Sequence, residues 1–217
     1  CAFLRQRQMC IRSSDTPGGA DDADGRDIRD VMAFRDHLRA QEDVERAAAE
    51  TAVDSLEPEW RKINVLINNA GLALGLDKEY EGDPDDWNTM IDTNIKGLLT
   101  MTRLIVPGMV ERNEGHVINI GSVAGDAAYA KGNVYCATKA AVKTITDGLR
   151  IDLAETAVRV TNLKPGLVET NFSNVRFHGD NQRADNVYKG ITPLTGADIA
   201  DVAFYAASAP KHVQIAE

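Results

Sequence analysis

The chain is short of cysteine, of positive charge and of long hydrophobic runs, and each shortage narrows what it can be. Cys1, Cys10 and Cys136 are an odd number without metal-ligand spacing. That argues against a disulfide framework or a thiolate metal site and suits free thiols in a reducing compartment. Lysine and arginine number 24 against 33 aspartates and glutamates, a net charge of −9. Phosphate-backbone binding needs clustered cations, so no nucleic acid is expected as a partner. No window reaches the roughly 18 consecutive apolar residues of a membrane span, and no basic start leads through an apolar run to a small-residue cleavage site. The expectation is a cytoplasmic protein without membrane contact. Glycine is scarce at the start as well: only Gly18, Gly19 and Gly25 precede Gly71, with no apolar strand before them. No phosphate-cradling glycine turn is read there.

What is present suits one globular domain, with 217 residues of which 43% are hydrophobic. Residues 1–28 combine turn formers with charge and read as a disordered or divergent tail. From 29 to 60, apolar residues at three- and four-residue intervals predict amphipathic helix, as one element or two. Beyond that the pattern alternates. "INVLINNAG" (63–71), "HVINIGS" (116–122) and "VRVTNLKPG" (158–166) read as buried strands that open into polar loops. Between them, helices are predicted from 84 into the 90s, with Asp83 as N-cap and Pro84 at the first position, from 96 to 112, and from about 133 to 156. Strands separated by helices of this length imply right-handed crossovers and a parallel sheet whose ligands bind at the strands' carboxyl ends.

The chemically informative residues fall at those ends. Asn68, Asn69 and Gly71 follow the first strand, and Ser122 ends the second. Tyr135 and Lys139, four apart, share a face of the next helix, and Pro165, Gly166 and Thr170 follow the third strand. A free phenol titrates near 10, so Tyr135 alone is a poor proton carrier at neutral pH. An ammonium beside it favours the phenolate and moves it toward the range where acid–base catalysis works. Ser122 can donate to a substrate oxygen and hold it where a proton and a hydride arrive together. The trio suits carbonyl–alcohol interconversion. His116 and His178 lack metal or triad spacing and are expected on the surface or at a strand end, and Cys136 is read as a small buried hydrophobe.

"NNAG" at 68–71, "DTNIKG" at 92–97, Ser122 thirteen residues before "YCATK", and "PGLVET" at 165–170 resemble the short-chain dehydrogenase/reductase family. The resemblance covers about residues 43 to 216. "NNAGLALG", "MIDTN", "PGMVERNEGHVINIGS" and "FSNVRF" resemble its NADP-dependent 3-hydroxy acid dehydrogenase branch, which acts on serine and L-allo-threonine. This implies an α/β, Rossmann-like, doubly wound parallel sheet, truncated at its N-terminal side, with residues 29–217 as a partial domain. It implies Tyr135 as acid/base, Ser122 orienting substrate, Lys139 holding the nicotinamide ribose and Asn94 supporting a water relay. Asp43 and Val44 would meet adenine; Asn69, Ala70 and Gly71 the adenosine side; Pro165, Gly166, Val168 and Thr170 the nicotinamide. Phe172 and Arg176, in the lid region, are placed to meet substrate, where an arginine pairs with a carboxylate. The cofactor implied is NADP, with NAD as the alternative. The partners implied are a small hydroxy acid or carbonyl substrate and a second copy, as homodimer or homotetramer. No metal is expected.

Two other readings stand beside this one. A remnant that keeps the family's surfaces, associates with relatives and binds no dinucleotide follows from the missing glycine turn. An extended-branch sugar-nucleotide epimerase shares Tyr-x-x-x-Lys but needs a larger substrate domain than this chain offers.

Overall fold

The computed structural model describes residues 31–33 and 42–217, so the tail read at 1–28 lies outside the described residues. Four parallel strands form the main sheet in sequential order: β1 (Val31–Ala33), β2 (Val65–Asn68), β3 (Gly115–Ile120) and β4 (Val158–Leu163). The helices are α1 (Glu42–Asp54), α2 (Pro84–Ile91), α3 (Leu98–Arg112), α4 (Asn133–Asp152), α5 (Phe172–Arg176), α6 (Asn181–Asn186) and α7 (Gly196–Ser208). β5 (Val168–Glu169) and β6 (Leu194–Thr195) pair in a small separate ribbon.

Alternation along the strands divides the core in two. Leu66, Val117, Val158 and Val160 face α1, α3 and α4 and pack with Ala49, Met101, Ile105 and Met109. Val65, Ile118 and Leu163 point the other way, onto Ala203 and Ala206 of α7. Helices on both faces of a parallel sheet are the doubly wound arrangement the sequence implies, and they explain strands apolar on both sides. On the α7 face, Arg159 of β4 donates to the carbonyls of Ala206, Ala207 and Val213. Asn162 N–H donates to Ala216 O, so the segment after α7 lies along β4.

Two sequence expectations need correction. Helix does not run through 29–60: Val31–Ala33 is a strand in parallel register with Val65–Ile67, and α1 begins only at Glu42. A short apolar run has no readable period, and the neighbouring strand decides its state. Nor do the helices near 84 and 96 stand apart. α2 continues into α3 through a π-helical turn, Asp92–Gly97. Asp83 caps α2 as expected, accepting from Asp85 N–H at 2.9 Å, with Pro84 at its first turn.

Candidate active site

At the carboxyl edge of the sheet, the loops after β2, β3 and β4 are bonded to neighbouring elements. Asn94, buried in the π-helical turn, accepts from Leu72 N–H and donates to Leu72 O, both at 2.8 Å, and donates to Thr138 Oγ1 at 3.0 Å. Its carboxamide thereby pins the loop after β2 to the helix carrying Tyr135. π-turns concentrate at functional sites because the extra residue turns a side chain out of phase with the regular helix. Gly71 makes the close approach feasible: a Cβ there would stand 3.2 Å from Lys139 Nζ and 3.4 Å from Asn94 Oδ1.

Ser122 ends the loop after β3, where its Oγ accepts from Ala124 N–H at 3.1 Å and its hydroxyl points to Pro165 O at 3.5 Å. Pro165 also accepts from Val123 N–H, joining the loops after β3 and β4. Tyr135 and Lys139 project from the first half of α4. Lys139 Nζ donates to Ile120 O at 2.8 Å and lies 6.0 Å from the Tyr135 ring centre. Phe172 of α5 packs edge-on against that ring at 5.7 Å, and the Arg176 guanidinium lies 5.8 Å from it.

The electrostatics differ from the sequence expectation. Burial pushes the Tyr135 phenol up, to about 12, against opposing pulls from the nearby Ser122 hydroxyl and the Arg176 charge. Lys139 is not among the groups acting on it. Burial lowers the lysine itself to about 8, and its ammonium is turned to the Ile120 carbonyl. Desolvation sets the direction of the shift for both groups.

Among the residues singled out from sequence, Asn94, Ser122, Tyr135, Lys139, Gly71 and Pro165 are linked through these contacts. Asn69 is exposed at the β2 end, with Ala70 half-buried beside it. Gly166 is open, with no atom within 4 Å of where a Cβ would be. Val168 lies in β5, and Thr170 accepts from Phe172 N–H at 3.2 Å. Asp43 and Val44 fall in the first turn of α1. Cys136 is buried, as read. His116 stands at the start of β3, the strand-end alternative, and is buried there. It is 2% exposed, and its Nε2 is 2.8 Å from Thr161 Oγ1. Thr161 gives its hydroxyl proton to Ile215 O at 2.6 Å, so it must accept from His116, which assigns the Nε2–H tautomer. His178 is exposed and pairs with Asp86 at 3.1 Å.

Sequence reasoning missed Tyr129, whose phenol accepts from Arg176 at 2.9 Å. It also missed a buried row across the sheet: Asn68, Asn119 and Asn162 share one register on three strands. Asn68 donates to Asn119 Oδ1 at 2.8 Å, and Asn119 donates to Thr146 Oγ1 at 2.8 Å. The signal was available as an asparagine near the end of each of "VLIN", "GHVINI" and "VRVTNL".

A doubly wound sheet with Ser, Tyr and Lys meeting at its carboxyl edge defines an acid–base site of the short-chain dehydrogenase kind. A profile of the short chain dehydrogenase family matches residues 29–181, and the chain belongs to that family. Among relatives, the NADP-dependent 3-hydroxy acid dehydrogenase of Salmonella typhi is 52% identical over 200 residues, covering 89% of this chain and 81% of that protein. The enzyme of the same description from Schizosaccharomyces pombe is 49% identical over 165 residues, 76% of this chain and 64% of its own. A closed form of serine dehydrogenase complexed with NADP+ superposes with a TM-score of 0.77 at 53% identity, covering 78% of this chain and 69% of that one. Serine dehydrogenase from Escherichia coli gives 0.67 at 47% identity, with 79% and 69% covered.

Proposed function

We propose that the chain is an NADP-dependent oxidoreductase that interconverts a small 3-hydroxy acid, serine among them, and its carbonyl form. The observation that carries this reading is Tyr135, half-buried at the carboxyl edge of the sheet with Lys139 Nζ 6.0 Å and the Arg176 guanidinium 5.8 Å from its ring centre. The descriptions of the relatives supply the substrate class and cofactor.

The residues along the carboxyl edge suit a dinucleotide: open Gly166, the close backbone at Gly71 and a buried ammonium. Lys139 would hold its ribose, the Asn69–Gly71 backbone its adenosine side, and Pro165, Val168 and Thr170 its carboxamide. When bound, the nicotinamide accepts or supplies the hydride. The protein handles the proton. In oxidation Tyr135 Oη takes the hydroxyl proton as the carbinol C–H bond breaks; in reduction it gives that proton to the carbonyl oxygen. Ser122 Oγ donates to the same oxygen and holds it against the phenol.

The test is titration with NADPH followed by nicotinamide fluorescence, then turnover of L-serine and L-allo-threonine by wild type and Tyr135→Phe. Saturable binding and a turnover loss of roughly 100- to 10,000-fold in the variant are expected, the range for a lost acid–base group. Full turnover in Tyr135→Phe overturns the mechanism. A folded protein that binds no NADPH overturns the whole reading. The expected assembly is a homodimer or homotetramer, measured by light scattering on a sizing column.

A further inference from the structure

Arg176 ends α5 and is tied to the loop after β2 through its backbone and its side chain. Gly75 N–H donates to Arg176 O at 3.0 Å, and Arg176 Nε donates to Gly75 O at 3.1 Å. Gly75 takes this position with φ +66°, a left-handed conformation that suits glycine. Arg176 Nη1 donates to Tyr129 Oη at 2.9 Å, and its guanidinium carbon lies 5.4 Å from the Tyr129 ring centre. Three elements thus hold one half-buried cation 5.8 Å from the ring of Tyr135.

Its charge is unanswered. In a chain with an excess of acids, no carboxylate of the described residues forms an ion pair with it. Of the four acids lining the same pocket, Asp86 faces His178 at 3.1 Å, Glu79 accepts from Asn133 at 3.0 Å, Asp83 caps α2, and Asp77 forms no ion pair with Arg176. A guanidinium fixed through Nε and one Nη keeps its remaining N–H groups for a planar anionic partner, which a carboxylate matches in fork geometry.

We propose that Arg176 is the specificity-determining residue that grips the substrate carboxylate, and that Tyr129 positions it. The inference rests on the reading of Tyr135 as the proton carrier. It narrows the substrate to short acids whose carboxylate stands close enough to the reacting carbon to reach Arg176 while the oxygen touches Tyr135 and Ser122. A 3-hydroxy acid has one methylene or substituted carbon between the two groups. The neutral ester or diol of the same length forfeits the charge-assisted pair.

The test compares 3-hydroxypropionate with its methyl ester in wild type, Arg176→Gln, Arg176→Lys and Tyr129→Phe. In Arg176→Gln the ratio of kcat/KM for acid over ester is expected to fall roughly 10- to 100-fold, the range for a lost hydrogen bond to a charged group. Lysine restores part of that ratio, because it keeps the charge without the fork. Tyr129→Phe raises KM for the acid more than it lowers kcat. Equal losses on acid and ester overturn the proposal. A second arm needs no turnover: with NADPH present, Arg176 is modified with phenylglyoxal and its peptide weighed by mass spectrometry. Protection by 3-hydroxypropionate but not by 1,3-propanediol is expected, and absence of protection by the acid overturns the assignment. Protection in a protein that turns over neither substrate sinks the proposed activity and leaves the carboxylate site standing.

Discussion

Burial raises Tyr135 to about 12, and that value sets the direction in which the site works readily. A phenol held above its ordinary range keeps its proton at neutral pH, so in the proposed reaction it would be ready as the acid of carbonyl reduction and scarce as the base of alcohol oxidation. Oxidation is therefore expected to quicken with rising pH, approaching tenfold per unit while the phenolate is the minor form, whereas reduction gains nothing. Initial rates in both directions between pH 7 and 10 check this. His116 makes a separate statement about stability. Its folded value is about 3 against 6.5 for the free side chain, with burial the first cause and Arg159 the second. Between those values the unfolded chain takes up a proton that the native one refuses, so stability is lost as pH falls below 6.5. The slope from this group is about 1.4 kcal/mol per unit. Thermal midpoints from pH 7 to 5 should fall more steeply for wild type than for His116→Gln. The residues proposed as catalytic were legible in the sequence, because their spacing sits on a helix and at strand ends. The electrostatics were not: a Tyr-Lys pair four apart says nothing about how deeply both are buried, and burial decides the sign here.

At the scale of elements, local chemistry and tertiary contacts part company. The start of α2 follows local rules, and its cap was readable from Asp83-Pro84 alone. Asp83→Ala is expected to cost about 1 kcal/mol in chemical denaturation and to leave the far side of the sheet untouched. The π-helical turn follows no local rule. "DTNIKG" carries ordinary helix-compatible residues, and the turn is held because Asn94 finds Leu72 and Thr138 across the loop. Asn94→Ala strips both Leu72 backbone groups of their partner, each worth about 1–3 kcal/mol if left unmet. Its activity should fall more than its stability, since the freed loop carries Gly71 beside Lys139; kcat/KM and a urea curve on the same preparation separate the two. β1 was misread for the opposite reason. Three apolar residues become strand only because Val65–Ile67 lies alongside.

Across the whole molecule, the sheet binds its outer layers through side chains as well as apolar contact. Arg159 reaches from β4 to the last carbonyls of α7 and to Val213, a cation set at a helix carboxyl end. Arg159→Ala is expected to cost about 2 kcal/mol, through carbonyls left with poorer partners. It should also speed amide exchange in residues 203–216 relative to β2 and β3. The parallel order could be read from alternating strands and helices; this stitching could not, since Arg159 and Ala206 are far apart in sequence and no motif joins them. The row of Asn68, Asn119 and Asn162 carries a different kind of information. Asn162 finds no side-chain partner among the described residues, so the row is a weak source of stability. It serves better as an alignment mark. If β2 or β3 docks one residue out of step, the bonded carboxamide of Asn68 or Asn119 turns toward the apolar layer of Ile118, Leu163 and Ala206, where a bare amide is costly. Misaligned sheets are thereby penalised while the chain is still assembling, and the strand ends that bring Ser122, Gly71 and Pro165 together arrive in step.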